Sequence, residues 1–287
     1  MRRLFLRSAC AALGLLTAGC SSSSGEATTT SGSASVPPTE VTVTAPTTTE
    51  PGATAPVRVY LLVAEQLHVF GRSVVAGTPV EAVRALLDGP TATEAATGAV
   101  TLVPAGTRLH GLTVDGHEAT VDLSGAFNSG GGSLSVMGRV AEVVYTVTQF
   151  DGIDTVRFAI DGTVVTQLTG EGFGVDGVQR LDLADMAPAI LLETPWQGAR
   201  VPQPIEVAGM SNTFEAQVNY EVLAPGGAVL VEGWFMATSG TGTWGTFAAT
   251  LAALPAGTTG DVTVRLFEVS PQDGAHINVM ETLIHLA

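Results

Sequence analysis

The chain has 287 residues, of which 45% are hydrophobic and 14% are charged, and its formal net charge is −15 at pH 7. An acidic surface of this kind repels nucleic acid and anionic lipid headgroups, so the composition argues against nucleic acid as a partner. With only two cysteines, at positions 10 and 20, the chain is too poor in thiols for a disulfide framework.

The first nineteen residues have the three parts of an export signal. Arg2, Arg3 and Arg7 precede an apolar stretch from Ala9 to Ala18. This stretch is about half as long as the roughly 20 residues that a membrane-spanning helix needs. We therefore interpret residues 1–19 as a signal peptide and not as an anchor helix.

The signal ends in the sequence LTAGC at 16–20, which resembles the lipobox of bacterial lipoproteins. The resemblance implies cleavage before Cys20 and attachment of a diacylglyceryl group to its thiol, and two acyl chains suffice for stable anchoring. It also implies that the signal peptidase recognises four residues: Leu16, Thr17, Ala18 and Gly19. Since Cys10 leaves with the signal, no cysteine remains for a disulfide, for zinc or for nucleophilic catalysis. We expect a protein that is lipid-anchored at the extracytoplasmic face of the cell membrane.

Residues 20–56 consist almost entirely of Ser, Thr, Ala, Gly and Pro with a few Glu. Such a composition buries too little apolar surface to offset the entropy lost on ordering, so we predict a disordered tether. A flexible coil of this length spans roughly 30 Å, which would hold the folded part away from the membrane. Its threonines beside prolines leave O-glycosylation open.

The next segment predicts two strands followed by two capped helices. Strand-like stretches lie at 57–62 and 67–75. The motifs TPVE at 78–81 and TATE at 91–94 are capping boxes, each of which marks the first turn of a helix.

Two hairpins and a long helix complete this part of the chain. Asp115-Gly116 and Asp161-Gly162 each separate two strand-like stretches, the strongest short hairpin signal that a sequence offers. Between them, apolar residues at helical spacing over 133–150 predict a helix. The many β-branched residues make a strand the competing interpretation, but the length favours the helix. The order β-β-α-(α)-β-β-α-β-β predicts an α+β domain over 57–176, with helices on one face of a sheet.

This part resembles the GerMN family of sporulation and germination lipoproteins. Four segments carry the likeness: ALLDGPTATE at 85–94, LVPAGTRL at 102–109, ATVDLSGAF at 119–127 and AEVVYTVTQFDGIDTVRFAIDG at 141–162. The resemblance implies a fold like the ring-building modules of secretion machines and a role in holding or assembling envelope complexes. It implies no reaction.

After a linker at 177–188, residues 189–287 change to seven short alternating stretches separated by Pro, Gly and Ser. This pattern predicts an all-β immunoglobulin-like sandwich without an inter-sheet disulfide. We expect its core to contain five large side chains: Trp196, Trp234, Phe235, Trp244 and Phe247.

The second part resembles the Gmad domain, an immunoglobulin-like module that often follows GerMN. The residues that carry this resemblance are PWQG at 195–198, PIEVAGMSNTFEAQVNYEV at 204–222, EGWFMATSGTGTWGTF at 232–247 and FEVSPQDG at 267–274. A GerMN-like domain before a Gmad-like domain is the order that the two families usually show.

No catalytic constellation emerges from the sequence. We interpret DGHE at 115–118 as a solvated turn, since the hairpin geometry demands Asp-Gly there. GFGVDG at 172–177 matches a dinucleotide-binding pattern, but no long helix follows it, so a flexible joint is the better interpretation. NSGGGS at 128–133 lacks the following basic residue of a phosphate loop, and we interpret it as a mobile connection. For the acidic pair Asp182 and Asp185, the sequence does not decide whether the two flank a cleft. We predict no catalytic residue, no cofactor and no metal.

Three functions are compatible with these observations. The favoured one is a non-enzymatic component of a Gram-positive cell-envelope complex that binds a protein partner. The alternative is a module that binds cell-wall glycan through exposed aromatics such as Trp196 or Trp244, for which core packing is the competing role. The third is a hydrolase that acts on the wall.

Overall fold

The computed structural model describes residues 54–168 and 172–287. The predicted signal peptide, Cys20 and residues 21–53 of the predicted tether lie outside these ranges. No helix of the described chain combines the length and the apolar character needed to cross a membrane.

The first domain contains short strands and three α-helices. Its strands are β1 Thr54–Val63, β2 Gln66–Val75, β3 Leu109–Asp115, β4 Glu118–Leu123, β5 Thr155–Ile160, β6 Thr163–Val165, β7 Gln167–Leu168 and β8 Phe173–Gly174. Its helices are α1 Pro79–Leu87, α2 Ala92–Ala96 and α3 Ser133–Val147, with 3-10 turns at Gly125–Asn128 and Arg180–Met186. The order of strands and helices matches the prediction as far as β6, after which β7 and β8 form a further short hairpin. β1 begins at Thr54, inside the predicted tether.

Two sets of strands surround α3. β1 and β2 form an antiparallel hairpin, and a separate sheet has the order β3-β4-β5-β6, in which β4 and β5 run parallel. From Val136 to Val147 every residue of α3 except Met137 is buried. This burial explains why a segment rich in β-branched residues is helical, because packing of its apolar faces outweighs its intrinsic propensity.

The helix caps follow the sequence signals. Thr91 accepts a hydrogen bond from the Glu94 backbone N–H, and the Glu94 carboxylate accepts one from the Thr91 N–H, so α2 has a complete capping box. At α1, Thr78 caps the Glu81 N–H at 3.3 Å, while the Glu81 carboxylate instead forms an ion pair with Arg84. Only the first half of that predicted box is therefore present.

The second domain is built from strands alone, apart from a 3-10 turn at Phe214–Ala216. The strands are β9 Ile190–Thr194, β10 Arg200–Val201, β11 Glu206–Ser211, β12 Gln217–Leu223, β13 Val229–Met236, β14 Gly245–Thr250, β15 Gly260–Val269 and β16 His276–Leu286. They form one sheet of order β14-β11-β9 and another of order β10-β16-β15-β12-β13. Buried residues such as Val218, Val264 and Ile284 form the core of this domain. The prediction of an immunoglobulin-like sandwich is confirmed.

The segment between the domains packs tightly, which differs from the flexible joint and linker expected at 172–188. Val175, Val178 and Leu183 are buried in the core of the first domain. Leu191 and Met210, which come from the second domain, belong to the same core. The sequence pattern missed this because scattered single apolar residues among glycines do not reveal which core they enter.

A polar cluster also joins the two domains. Arg180 forms an ion pair with Glu193 of β9 at 2.6 Å, and the Tyr60 hydroxyl of β1 donates to the same carboxylate. Arg180 Nε donates to Thr148 Oγ1 at 2.7 Å, and the guanidinium lies 4.8 Å from the centre of the Tyr145 ring. Burial alone would raise the pKa of Glu193, but Arg180 and Tyr60 hold it below its ordinary value.

Candidate interaction surface

The predicted lipidation site and its recognition residues lie outside the part of the chain that the structure describes. Cys20 and the residues Leu16, Thr17, Ala18 and Gly19 therefore keep the status of predictions from the sequence.

The DGHE turn does not form a joint site. His117 Nδ1 lies 3.1 Å from Asp154 Oδ2, and both side chains are exposed. Glu118 instead contacts Arg157 at 3.2 Å. Within residues 54–168 and 172–287, no group of three His, Cys, Asp or Glu side chains could hold a metal ion. The turn is the solvated hairpin end that its Asp-Gly sequence indicated.

The glycine-rich loop before α3 binds the guanidinium group of Arg139. The buried guanidinium of Arg139 donates to the backbone carbonyls of Phe127 at 2.6 Å, Ser129 at 3.0 Å and Gly130 at 2.7 Å. These carbonyls satisfy the buried charge, so the loop is anchored and not the mobile connection that we expected. Because these carbonyl oxygens are hydrogen-bond acceptors, the side of the loop that faces Arg139 is not suited to binding an anion.

The tryptophans divide into two kinds. Trp196 and Trp244 are half-buried and pack against the hydrophobic cores, and Phe235 packs on the buried Phe247 with ring centres 5.1 Å apart. Trp234, which we expected in the core, is 60% exposed. The reason is that β13 lies at the edge of its sheet and alternates, so Phe235 faces inward while Trp234 faces solvent.

The exposed apolar residues concentrate on this sheet. Of the fourteen large apolar side chains that the described residues leave exposed, eight lie on the five-stranded sheet or in the turn that precedes β12. Seven of them form what we call the apolar outer face: Phe214, Val229, Trp234, Met236, Val269, Val279 and Leu283. Ile277 pairs with Glu268 and so points to the other side from Val269. Large apolar patches on soluble domains mark interaction sites more often than isolated exposed residues do.

Strand register connects the members of the apolar outer face. Trp234 lies opposite Asn219 and Met236 lies opposite Gln217, both on β12. A shallow depression of about 110 Å³ runs from these β12 residues to Phe214 and Val269. Trp234 on one side and Phe214 on the other thus border a surface that extends across β13, β12 and β15.

Carboxylates surround the apolar outer face. Glu232 lies opposite Glu221, and the nearby Arg265 is already bound to Glu221 at 2.8 Å and to Glu281 at 2.7 Å. Glu268 accepts hydrogen bonds from the Phe214 backbone N–H and from the Asn278 side chain. Residues 189–287 contain nine acidic residues against two arginines. The surface therefore combines exposed apolar area with negative charge.

A second feature of this domain is a cavity of about 350 Å³ beside Trp196. Its lining includes three prolines, together with the charged side chains of Arg200 and Glu206. The Trp196 ring lies against Gly71 of β2, where an added Cβ would sit 1.9 Å from the indole Nε1. The Trp196 ring therefore packs against the first domain on the side of Gly71.

Sequence reasoning found the aromatic residues but missed the surface that they form. The signal was present in the sequence EGWFM at 232–236, where Glu232, Trp234 and Met236 alternate with Gly233 and Phe235. Alternation identifies two faces of a strand, but only the order of the strands shows which face meets the other sheet.

The fold and the surface together define a class: a two-domain chain in which an α+β domain precedes an immunoglobulin-like sandwich. Residues 58–166 match the Germane family, described as sporulation and spore germination. Residues 189–275 match the Gmad2 family, described as the immunoglobulin-like domain of bacterial spore germination. The chain therefore carries a GerMN domain followed by a Gmad-type domain, as the sequence resemblance implied.

Three solved structures are similar to parts of the chain. A candidate lipoprotein from Clostridium perfringens has 14% identity over 47% of this chain and 93% of its own, with a TM-score of 0.34. The first GerMN domain of the sporulation protein GerM from Bacillus subtilis has 21% identity over 45% of this chain and 100% of its own, with a TM-score of 0.37. The tandem GerMN domains of GerM have 16% identity over 69% of this chain and 61% of their own, with a TM-score of 0.38. No curated protein matches the chain.

Proposed function

We propose that the chain is exported, lipid-anchored through Cys20, and acts as a non-enzymatic protein-binding component of a Gram-positive cell-envelope complex. The apolar outer face carries this proposal, because it leaves Trp234 and Met236 exposed to 60% and 52% beside other exposed apolar side chains on one sheet. Tryptophan and methionine are enriched in protein interfaces, and tryptophan is among the residues that contribute most of the binding energy.

In-cell cross-linking tests the protein-binding role. A photoreactive amino acid replaces Trp234 in the full chain, and a matched variant carries it at Thr246, an exposed position on the other sheet. We expect a cross-linked envelope protein from position 234 and little from position 246. If neither position captures any protein in living cells, the proposed function is wrong.

Anchoring is tested separately by Cys20→Ala. A diacylated cysteine holds a domain on the membrane because each buried methylene contributes about 0.8 kcal/mol. We expect the wild-type protein in the membrane fraction and the variant either uncleaved or in the medium. Cys10→Ala is the matched control, since it lies within the apolar part of the signal. An uncleaved Cys20→Ala chain stays on the membrane through its signal peptide, so the cleaved form is the informative one. If the cleaved Cys20→Ala chain also stays in the membrane fraction, lipid attachment at Cys20 is contradicted.

A specific observation also supports a second candidate, glycan binding. The cavity beside Trp196 has the volume of a small-ligand site, and aromatic rings are common stacking partners for sugars. Arg200→Ala and Glu206→Ala, which remove polar wall groups at exposed positions, should reduce sedimentation with purified cell wall. Trp234→Ala should leave sedimentation unchanged. If wild type and all variants stay in solution, this candidate is excluded.

A further inference from the structure

The strand β13 has one open edge. It pairs along its whole length with β12 and stands last in the order β10-β16-β15-β12-β13. Within the described residues, no strand pairs with its other side. Since backbone groups alternate in direction along a strand, half of the N–H and C=O groups of β13 point away from β12.

This edge has little of the usual protection. Natural edge strands are commonly short, or contain charges, proline or bulges that hinder further pairing, and β13 has one irregularity between Val229 and Val231 and a regular register from there to Met236. β13 is eight residues long, contains no proline and no basic residue, and has Glu232 as its only charge. At the opposite edge of the same sheet, β10 has two residues and is followed by Pro202. β14 also ends its sheet without a charge or proline, but β13 is the edge strand of the sandwich that carries large exposed apolar side chains beside its open edge.

The side chains beside the open edge define what an added strand would meet. On the outer face, the Cβ atoms of Trp234 and Met236 would lie about 4.5–5.5 Å from the Cβ atoms of the directly opposite residues of a strand paired with β13. On the same face, Glu232 stands two residues away from Trp234. An incoming strand is therefore matched by apolar residues next to Trp234 and Met236 and by a basic residue next to Glu232.

The charge of this domain indicates whether a second copy of the chain or another protein pairs with β13. Two β13 strands paired together would bring both Glu232 side chains onto one face, and each sandwich carries nine acidic residues against two arginines. Arg265, which lies opposite Glu221 on β15, is already bound by Glu221 and Glu281. Self-pairing is thus opposed by like charge, whereas a basic segment is attracted.

We infer that an extended, basic segment of another envelope protein adds to β13 as a sixth strand and covers the apolar outer face beside Trp234. This inference rests on the proposed protein-binding function and specifies its partner. Main-chain hydrogen bonds to the open edge provide affinity, and the alternating side chains provide selectivity. Because the attraction is partly electrostatic, binding weakens as salt rises.

Mapping the cross-link is the first test. The segment captured from position 234 in cells is identified by mass spectrometry, with position 246 on β14, an open edge that exposes small residues, as the control. We expect a segment of net positive charge. A captured segment that is neutral or acidic, or that comes from a second copy of this chain, overturns the inference while protein binding stands. Absence of any captured protein overturns both.

Charge reversal and hydrogen exchange complete the test. Glu232→Lys should lower the cross-link yield from position 234 by about tenfold, whereas Glu65→Lys, in an exposed turn of the first domain, should not. A synthetic peptide with the mapped sequence should slow exchange at alternate amides of β13 in the purified full chain. If the peptide binds but β13 amides exchange as before, the partner packs on the face without adding a strand, and the inference is wrong. Both glutamates are exposed, so thermal unfolding serves to check that the variants fold.

Discussion

At the scale of single residues, Arg180 has the largest predicted effect on stability. Its guanidinium satisfies Glu193 and contacts Tyr60 and Tyr145, and the Arg180 and Glu193 side chains are only 19% and 16% exposed. Arg180→Gln would leave the Glu193 carboxylate buried without its cation. We expect the free energy of unfolding to fall by about 3 kcal/mol, measured by urea unfolding. Arg200→Gln, at an exposed position, is the matched control.

The pairing itself is tested by a double-mutant cycle with Glu193→Gln. If the two side chains stabilise each other, the double variant loses less stability than the sum of the single losses. Because Arg180 holds the pKa of Glu193 below its ordinary value of 4.5, this coupling is present above that value. It should disappear as the pH falls through the folded-state pKa. Strict additivity at neutral pH would contradict the proposed coupling.

Glu142 carries an opposite pH dependence. Burial in α3 raises the pKa of its carboxyl to about 8, although the Leu102 N–H, Thr101 and Arg139 act in the other direction. In the unfolded chain the carboxyl ionises near 4.5, so between about 4.5 and 8 the folded state binds the extra proton. Stability should therefore fall as the pH rises through this window and level off above it.

Glu142→Gln removes this proton exchange. We expect its stability to depend less on pH from 5 to 8 than that of the wild type, by about a few kcal/mol over the window, since one pKa unit corresponds to about 1.4 kcal/mol. Urea unfolding at several pH values measures the difference, with the exposed Glu206→Gln as control. Parallel pH profiles for wild type and Glu142→Gln would show that the carboxyl is ionised in the folded protein.

At the scale of elements, β2 and the loop after β9 are fitted to each other. The Trp196 ring occupies the space above Gly71, and Phe70 forms a parallel bridge with Gln197. Gly71→Val would force the indole away, since its Cβ would lie 1.9 Å from Nε1. We expect a loss of about 1–3 kcal/mol and a shift in tryptophan fluorescence. Gly111→Ala on β3, where nothing lies within 4 Å of the added atom, should have little effect.

Structural features that are determined by residues adjacent in the sequence were predictable. The turn at Asp161-Gly162 joins Ile160 to Thr163 with positive φ at both turn residues. Asp-Gly is one of the dipeptides that favour this geometry, so the dipeptide alone predicts the turn. The outer position of Trp234 and the contact of Arg180 with Tyr60 were not predictable. They join residues that are distant in sequence, and alternation along one strand does not show which neighbours the strand acquires.

At the scale of the whole molecule, the two domains share a core. Leu191 and Met210 from the sandwich are buried with residues of the α+β domain, and Arg180, Glu193 and Tyr60 bridge the same boundary. Neither domain can lose its fold without exposing apolar area or leaving a buried charge unpaired in the other. We therefore expect residues 54–287 to unfold in one cooperative transition.

The chain supplies separate probes for this prediction. All three tryptophans lie in the sandwich, whereas the α-helices of the described ranges lie in the first domain. Tryptophan fluorescence and far-UV circular dichroism should give coincident urea transitions for the wild type. In Gly71→Val or Arg180→Gln the two curves should move apart, because the contact that couples the domains is weakened while each core remains. Separate transitions in the wild type would show that the domains unfold independently, and the shared core around Leu191 and Met210 would then contribute little to the stability of either.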